Sequence, residues 1–276
     1  MSRLLSRASQ PDAAGRIQNI TPDSAGWQYV GFEAFLLEPG QTLSAETGEQ
    51  EVCLVLLAGK ADLASSDQQW SSVGERMSVF DEQSPYALYL PAGERYTVTA
   101  TTKLELAVCK APGKGGFPVR LIEPSMCQAE TRGIGTNQRH VCNILFGNLP
   151  ADSLLVCEVR TPSGNWSSYP PHKHDTDNAP HETHLEETYY HRINPEQGFV
   201  FQRVYTDDRS IDETMSVENR GVVMVPGGYH PVGAPHGYDS YYLNVMAGPS
   251  RNWIFHNDPD HAWIIAADKE KAARQG

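Results

Sequence analysis

The second half of the chain concentrates residues that bind metals. Of ten histidines, nine lie between His172 and His261, and only His140 precedes them. In Tyr169-Pro-Pro-His172-Lys-His174 two imidazoles stand at i and i+2, which a β-strand directs to one side. Leu185-Glu186-Glu187-Thr-Tyr-Tyr-His191 then offers a carboxylate followed by β-branched and aromatic residues, a strand-like run. Gly221-Val-Val-Met-Val-Pro226-Gly-Gly-Tyr-His230 adds a third imidazole just after a tight Pro-Gly-Gly turn. Three imidazole nitrogens and one carboxylate oxygen, from Glu186 or Glu187, suit a borderline divalent ion: Zn²⁺, Mn²⁺, Fe²⁺, Co²⁺ or Ni²⁺. An isolated His-x-His would carry little weight. Its order and spacing relative to the later Glu and His carry the argument.

Elements that could hold these residues in place are short strands. Runs such as Ala34–Leu37, Val52–Leu57, Ala87–Leu90, Leu104–Cys109, Leu154–Arg160, Phe199–Tyr205 and Tyr241–Met246 recur between Gly, Pro, Asn and Asp. The strongest helix expectation is the terminal piece Ala262–Ala273. A Pro/Gly-rich stretch, residues 111–118, separates two similar arrangements, so the pattern predicts two β-sandwich or barrel units. The 276 residues are enough for two such units with real cores. A formal charge of −12 argues against nucleic-acid or anionic-membrane partners, which need a cationic surface. The longest apolar run, Val52–Ala58, is too short to cross a bilayer, and the first residues lack a signal-peptide core. Five cysteines without a CxxC pair read as reduced thiols of a cytoplasmic protein.

The arrangement resembles the two cupin motifs, with Gly164, His172, His174, Glu187, Gly221, Pro226, Gly228 and His230 in their conserved roles. Two departures stand out: a long insertion between His174 and Glu187, and a Pro226-to-His230 spacing one residue short. The resemblance favours Glu187 over Glu186 as ligand, and strand parity then puts Tyr189 and His191 on its face. The first half looks like a decayed copy. Leu90-Pro91-Ala-Gly93-Glu-Arg-Tyr96 has Tyr96 where the histidine would stand, and no His-x-His precedes Glu51. The expected fold is therefore all-β, a bicupin of two jelly-roll domains. Residues 1–118 form a degenerate domain without metal, and residues 119–276 form the metal-binding one. Longer phrases, among them Tyr169–Asp175, Leu185–Arg192, Gly198–Arg209, Gly228–Pro235 and Tyr241–Gly248, resemble the 5-deoxy-glucuronate isomerase family of myo-inositol catabolism, over nearly the whole chain.

That resemblance implies conversion of 5-deoxy-D-glucuronate, an aldose acid, to 5-dehydro-2-deoxy-D-gluconate, a ketose acid. The simplest route takes a proton from C2, passes through an enediol(ate) and reprotonates C1, with a divalent metal stabilising the charge. The expected ligands are His172, His174, Glu187 and His230. Tyr189, His191 and Tyr242 are the acid–base candidates, chosen by strand parity and clustering. A sugar acid bound to an acidic protein needs a local cation, and Lys173, Arg192 and Arg203 are the expected ones. His181 and His184 read as loop or lid residues, His236 as a turn residue, and His256 and His261 as packing around the C-terminal segment. A homo-oligomer is also expected. Competing readings are an isomerase of a related deoxy-keto-uronate, a cupin dioxygenase, which would consume oxygen, and a non-enzymatic sugar-acid-binding bicupin.

Overall fold

The computed structural model describes residues 2–275. Two large antiparallel sheets dominate it. The first runs Arg120–Ile122, Ala87–Leu90, Gln50–Ala58, Leu104–Pro112, Gly31–Leu37, Arg16–Ile20, in spatial order. The second runs Leu5–Ser6, Val222–Val225, Glu186–Asn194, Asp239–Ala247, Leu155–Thr161, Arg139–Leu145, Gln128–Arg132. Each module also has a four-stranded sheet, one including Arg95–Ala100 and the other including Phe199–Tyr205. The fold is all-β, and among the described residues its one long helix is Trp263–Gln275.

Alternation along the central strands explains both the core and the sequence pattern. In Gln50–Ala58 the side chains of Val52, Leu54 and Leu56 fill the interior of the first module, while Cys53, Val55 and Leu57 pack in the core shared by both modules. Buried on both faces, the strand reads as a continuous apolar run rather than an alternating one. Glu186–Asn194 is its counterpart. Tyr189 and Ile193 face the interior of the second module, and Tyr190 joins the shared core.

The sheets do not divide cleanly at residue 118. Leu5–Ser6 pairs with Val222–Val225 in the second large sheet, and Arg120–Ile122 pairs with Ala87–Leu90 in the first. Each module thus takes an edge strand from the segment that precedes the other. Two carboxylates repeat this reciprocity. Glu51 accepts the backbone N–H groups of Asp152, Ser153 and Leu154 at 2.8, 2.6 and 2.5 Å. Glu186 accepts those of Gln28, Tyr29 and Val30 at 2.7, 2.6 and 3.0 Å. A bidentate Arg76–Glu158 pair, 2.8 Å at both contacts, and a Glu105–Arg192 pair at 2.5 Å also cross between the modules.

Candidate active site

The barrel interior of the second module gathers the imidazoles. His172 sits on a short strand paired with His256–Asn257, and His174 follows two residues later. His230 arrives through the Pro226-Gly227-Gly228 turn. Gly228 has φ +88°, and a Cβ there would stand 2.5 Å from the Tyr205 carbonyl oxygen, so only glycine lets this turn deliver the ring. Asp175 fastens the turn by accepting the Gly228 N–H at 2.8 Å. His230 Nδ1 lies 2.8 Å from the Gly228 carbonyl, and His174 Nδ1 lies 3.2 Å from that of Leu185. With Nδ1–H donated to a carbonyl, each ring presents its Nε2 lone pair inward.

These inward atoms converge. The ligand nitrogens of His172, His174 and His230 all lie within 4.8 Å of one another. Glu187 Oε2 is 3.1 Å from both His174 Nε2 and His230 Nε2. Yet these three atoms are buried and make no hydrogen bond. Buried polar atoms left unpaired are costly, so their common aim fits a bound cation as the missing partner. The three-histidine cluster can therefore hold a metal. Protonation follows from the crowding. Burial, with His230 and His174 alongside, pushes His172 well below the usual imidazole range. Burial also lowers His230. Burial alone would raise Glu187, but the His230 and His174 imidazoles outweigh it and hold the carboxyl down to about 2.

Beside the cluster lies a cavity of about 340 Å³ whose wall includes His172, Glu187, Tyr189, Tyr242, Ser168 and Asn244. Ser168 Oγ joins the two phenols, 3.0 Å from Tyr189 and 3.3 Å from Tyr242. Burial pushes Tyr189 well above the usual phenol range and Tyr242 up to about 12, so both stay protonated at neutral pH. His191 lies behind this wall. Its Nε2 is 2.9 Å from Gln202 Oε1, its ring stacks 6.1 Å from Tyr189, and burial takes it down to about 4. It is a neutral supporting group, outside the cavity lining.

The three cations expected to hold the substrate are all elsewhere. Lys173, between two inward-facing histidines, points away and contacts Asp175 at 2.8 Å and Asp207 at 3.1 Å. Arg192 shares the parity of Glu186 and binds Glu105 of the first module. Arg203 forms an exposed bidentate pair with Asp212, 2.8 Å at both contacts, over the Tyr205 ring. The cavity instead has Arg132 and Arg139, which no motif near the histidines signalled. Of the remaining histidines, His181, His236 and His256 are exposed, and His184 is half-buried against the Asp175 carbonyl.

Comparison with known proteins fits this geometry. The KduI/IolB family model matches residues 4–264. The chain belongs to that family. A 5-deoxy-glucuronate isomerase of Geobacillus kaustophilus is 59% identical, covering 100% of this chain and 99% of the relative. That of Bacillus subtilis strain 168 is 47% identical, covering 96% and 99%. Among solved structures, an IolB-like protein of Salmonella typhimurium LT2 matches with TM-score 0.92 at 55% identity, covering 95% of this chain and 99% of that one. An oxalate decarboxylase of Lactobacillus farciminis matches with TM-score 0.68 at 11% identity, covering 99% and 93%, which shows the shared bicupin fold alone. In this KduI/IolB chain the first module has apolar or aromatic residues at the matching positions. Glu51 plays the part of Glu186, so Val52, buried in the apolar core, stands where Glu187 does. Tyr96 is buried in the same core.

Proposed function

We propose that this chain is a metal-dependent aldose–ketose isomerase that converts 5-deoxy-D-glucuronate to 5-dehydro-2-deoxy-D-gluconate. The observation that carries the metal-centred reading is the set of three buried, unpartnered ligand atoms aimed at one point beside a cavity. The full-length kinship with 5-deoxy-glucuronate isomerases carries the substrate. His172, His174, His230 and Glu187 would hold a divalent ion, and the N₃O donor set suits Zn²⁺, Mn²⁺, Fe²⁺, Co²⁺ or Ni²⁺. Such an ion supplies Lewis-acid polarisation of a carbonyl and its neighbouring hydroxyl.

The chain's own groups bind and orient the substrate. Tyr189 and Tyr242, protonated and linked through Ser168, act as hydrogen-bond donors that stabilise the charge developing on the substrate's O1 and O2 as the enediolate forms. His191 positions Tyr189 by stacking and stays neutral itself. Trp253 and Phe255 add an apolar wall that limits water. The test is turnover of 5-deoxy-D-glucuronate followed by NMR in D₂O. Formation of the ketose acid with deuterium at C1 supports a proton-transfer isomerase, and absence of the ketose acid from metal-replete protein refutes the assignment.

A further inference from the structure

Arg132 and Arg139 stand directly opposite each other on the antiparallel strands Gln128–Arg132 and Arg139–Leu145, and both line the cavity. Like charges placed opposite in a sheet repel, so such a pair is unfavourable without a counter-charge. Arg132 has part of one: its Nε and Nη2 bond Glu130, and its guanidinium lies 5.5 Å from the Trp253 ring. Arg139 has none. Its Nη1 donates to the backbone carbonyl of Asn137 at 3.0 Å and to its Oδ1 at 3.2 Å. Among the described residues its Nε and Nη2, the edge that grips a carboxylate in bidentate fashion, make no hydrogen bond, and no carboxylate pairs with it. Asn137 is itself oriented from the C-terminal helix, since its Nδ2 donates to Asp268 at 3.3 Å. The guanidinium is therefore held from behind with its fork open.

Sheet register gives the site a direction. Along the second large sheet, cross-strand partners link Glu187 to Met246, Tyr189 to Asn244 and His191 to Tyr242, in successive rows. Arg139 lies further along its strand than Val141, which pairs with Val159, the partner of Tyr242. Arg132 and Arg139 thus sit at the sheet edge away from Glu187, with the wall of the cavity running between.

We propose that the open fork of Arg139, supported by Arg132, is the subsite that binds the carboxylate of a sugar acid and so orients its carbonyl end toward the histidine cluster. This rests on the isomerase reading and adds the residues that select an acid over a neutral sugar. Lys173, Arg192 and Arg203 cannot serve, because each is already paired with carboxylates outside the cavity.

The test compares metal-replete wild type with Arg139→Gln and Arg139→Lys, and with Arg132→Gln as the second arm should Arg139→Gln not fold. Calorimetric titration with D-gluconate and with neutral sorbitol reads the preference for the acid, and steady-state kinetics read KM for 5-deoxy-D-glucuronate. We expect the wild-type preference for gluconate to fall by about 10–100-fold in Arg139→Gln, the scale of a charge-assisted bidentate contact, with partial recovery in Arg139→Lys. Sorbitol binding, metal content and Tm should stay near wild type, which a merely structural arginine would not give. A wild type without acid preference, or variants that keep both that preference and the wild-type KM, would overturn the proposal. A wild type that binds gluconate through Arg139 yet fails to turn over 5-deoxy-D-glucuronate supports the subsite and refutes the isomerase reading.

Discussion

Glu186 and Glu187 are adjacent, both nearly fully buried, and face opposite sides of one strand, so truncating each to alanine should give opposite phenotypes. Glu186 accepts three consecutive backbone N–H groups of the other module, at 2.7, 2.6 and 3.0 Å. A hydrogen bond to a charged acceptor contributes about 1.5–3 kcal/mol, and the three share one carboxylate and do not add fully, so Glu186→Ala should cost about 3–5 kcal/mol. For a chain of this size, at about 1.7 °C per kcal/mol, that corresponds to a Tm fall of about 5–9 °C. Metal content should be unchanged. Glu187 Oε2 has no hydrogen-bonding partner to lose, so Glu187→Ala should leave the apo-protein fold largely intact. It should lose metal and turnover. Differential scanning calorimetry of chelator-treated samples, with elemental analysis of replete ones, measures both. A Glu186→Ala protein with wild-type Tm, or a Glu187→Ala protein with wild-type metal content, refutes the reasoning.

Other expectations follow from the same geometry. Tyr189→Phe should lower kcat by about 10²-fold or more with little change in KM if its hydroxyl is a donor to the reacting oxygens, and steady-state kinetics decide it. Gly228→Ala combines an unfavourable φ of +88° with a clash against the Tyr205 carbonyl and should displace His230, seen as weaker metal retention on dialysis. His191 is buried and neutral, at about 4, whereas the unfolded chain takes up its proton below about 6.5. Its contribution is therefore fully present above pH 6.5 and is lost as pH falls toward 4, by roughly 1.4 kcal/mol per unit. His191→Phe should flatten that acid limb in urea titrations at several pH values, even if it lowers stability at pH 7.

The convergence of the histidines was legible in the sequence because strand parity is local. His172 and His174 must share a face, and Glu187, Tyr189 and His191 must share another. The same rule, applied to the cations, excludes Lys173 from the face of its histidine neighbours and puts Arg192 with Glu186, toward the other module. Arg132 and Arg139 could not be found this way, because only the long-range order of the second large sheet brings their strands to the cavity. The exchanged edge strands are equally non-local: two residues, Leu5 and Ser6, pair with a strand more than two hundred positions away. In the first module, Tyr96 and Val52, at the positions matching His230 and Glu187, are both buried in the apolar core.

The most direct test of the central claim is elemental analysis of the purified protein and its His172→Ala/His174→Ala variant, paired with isomerisation of 5-deoxy-D-glucuronate by both. The wild type should hold about one divalent ion per chain and turn the substrate over, and a folded double variant should do neither. Wild-type turnover by that variant when it carries no metal would contradict the claim.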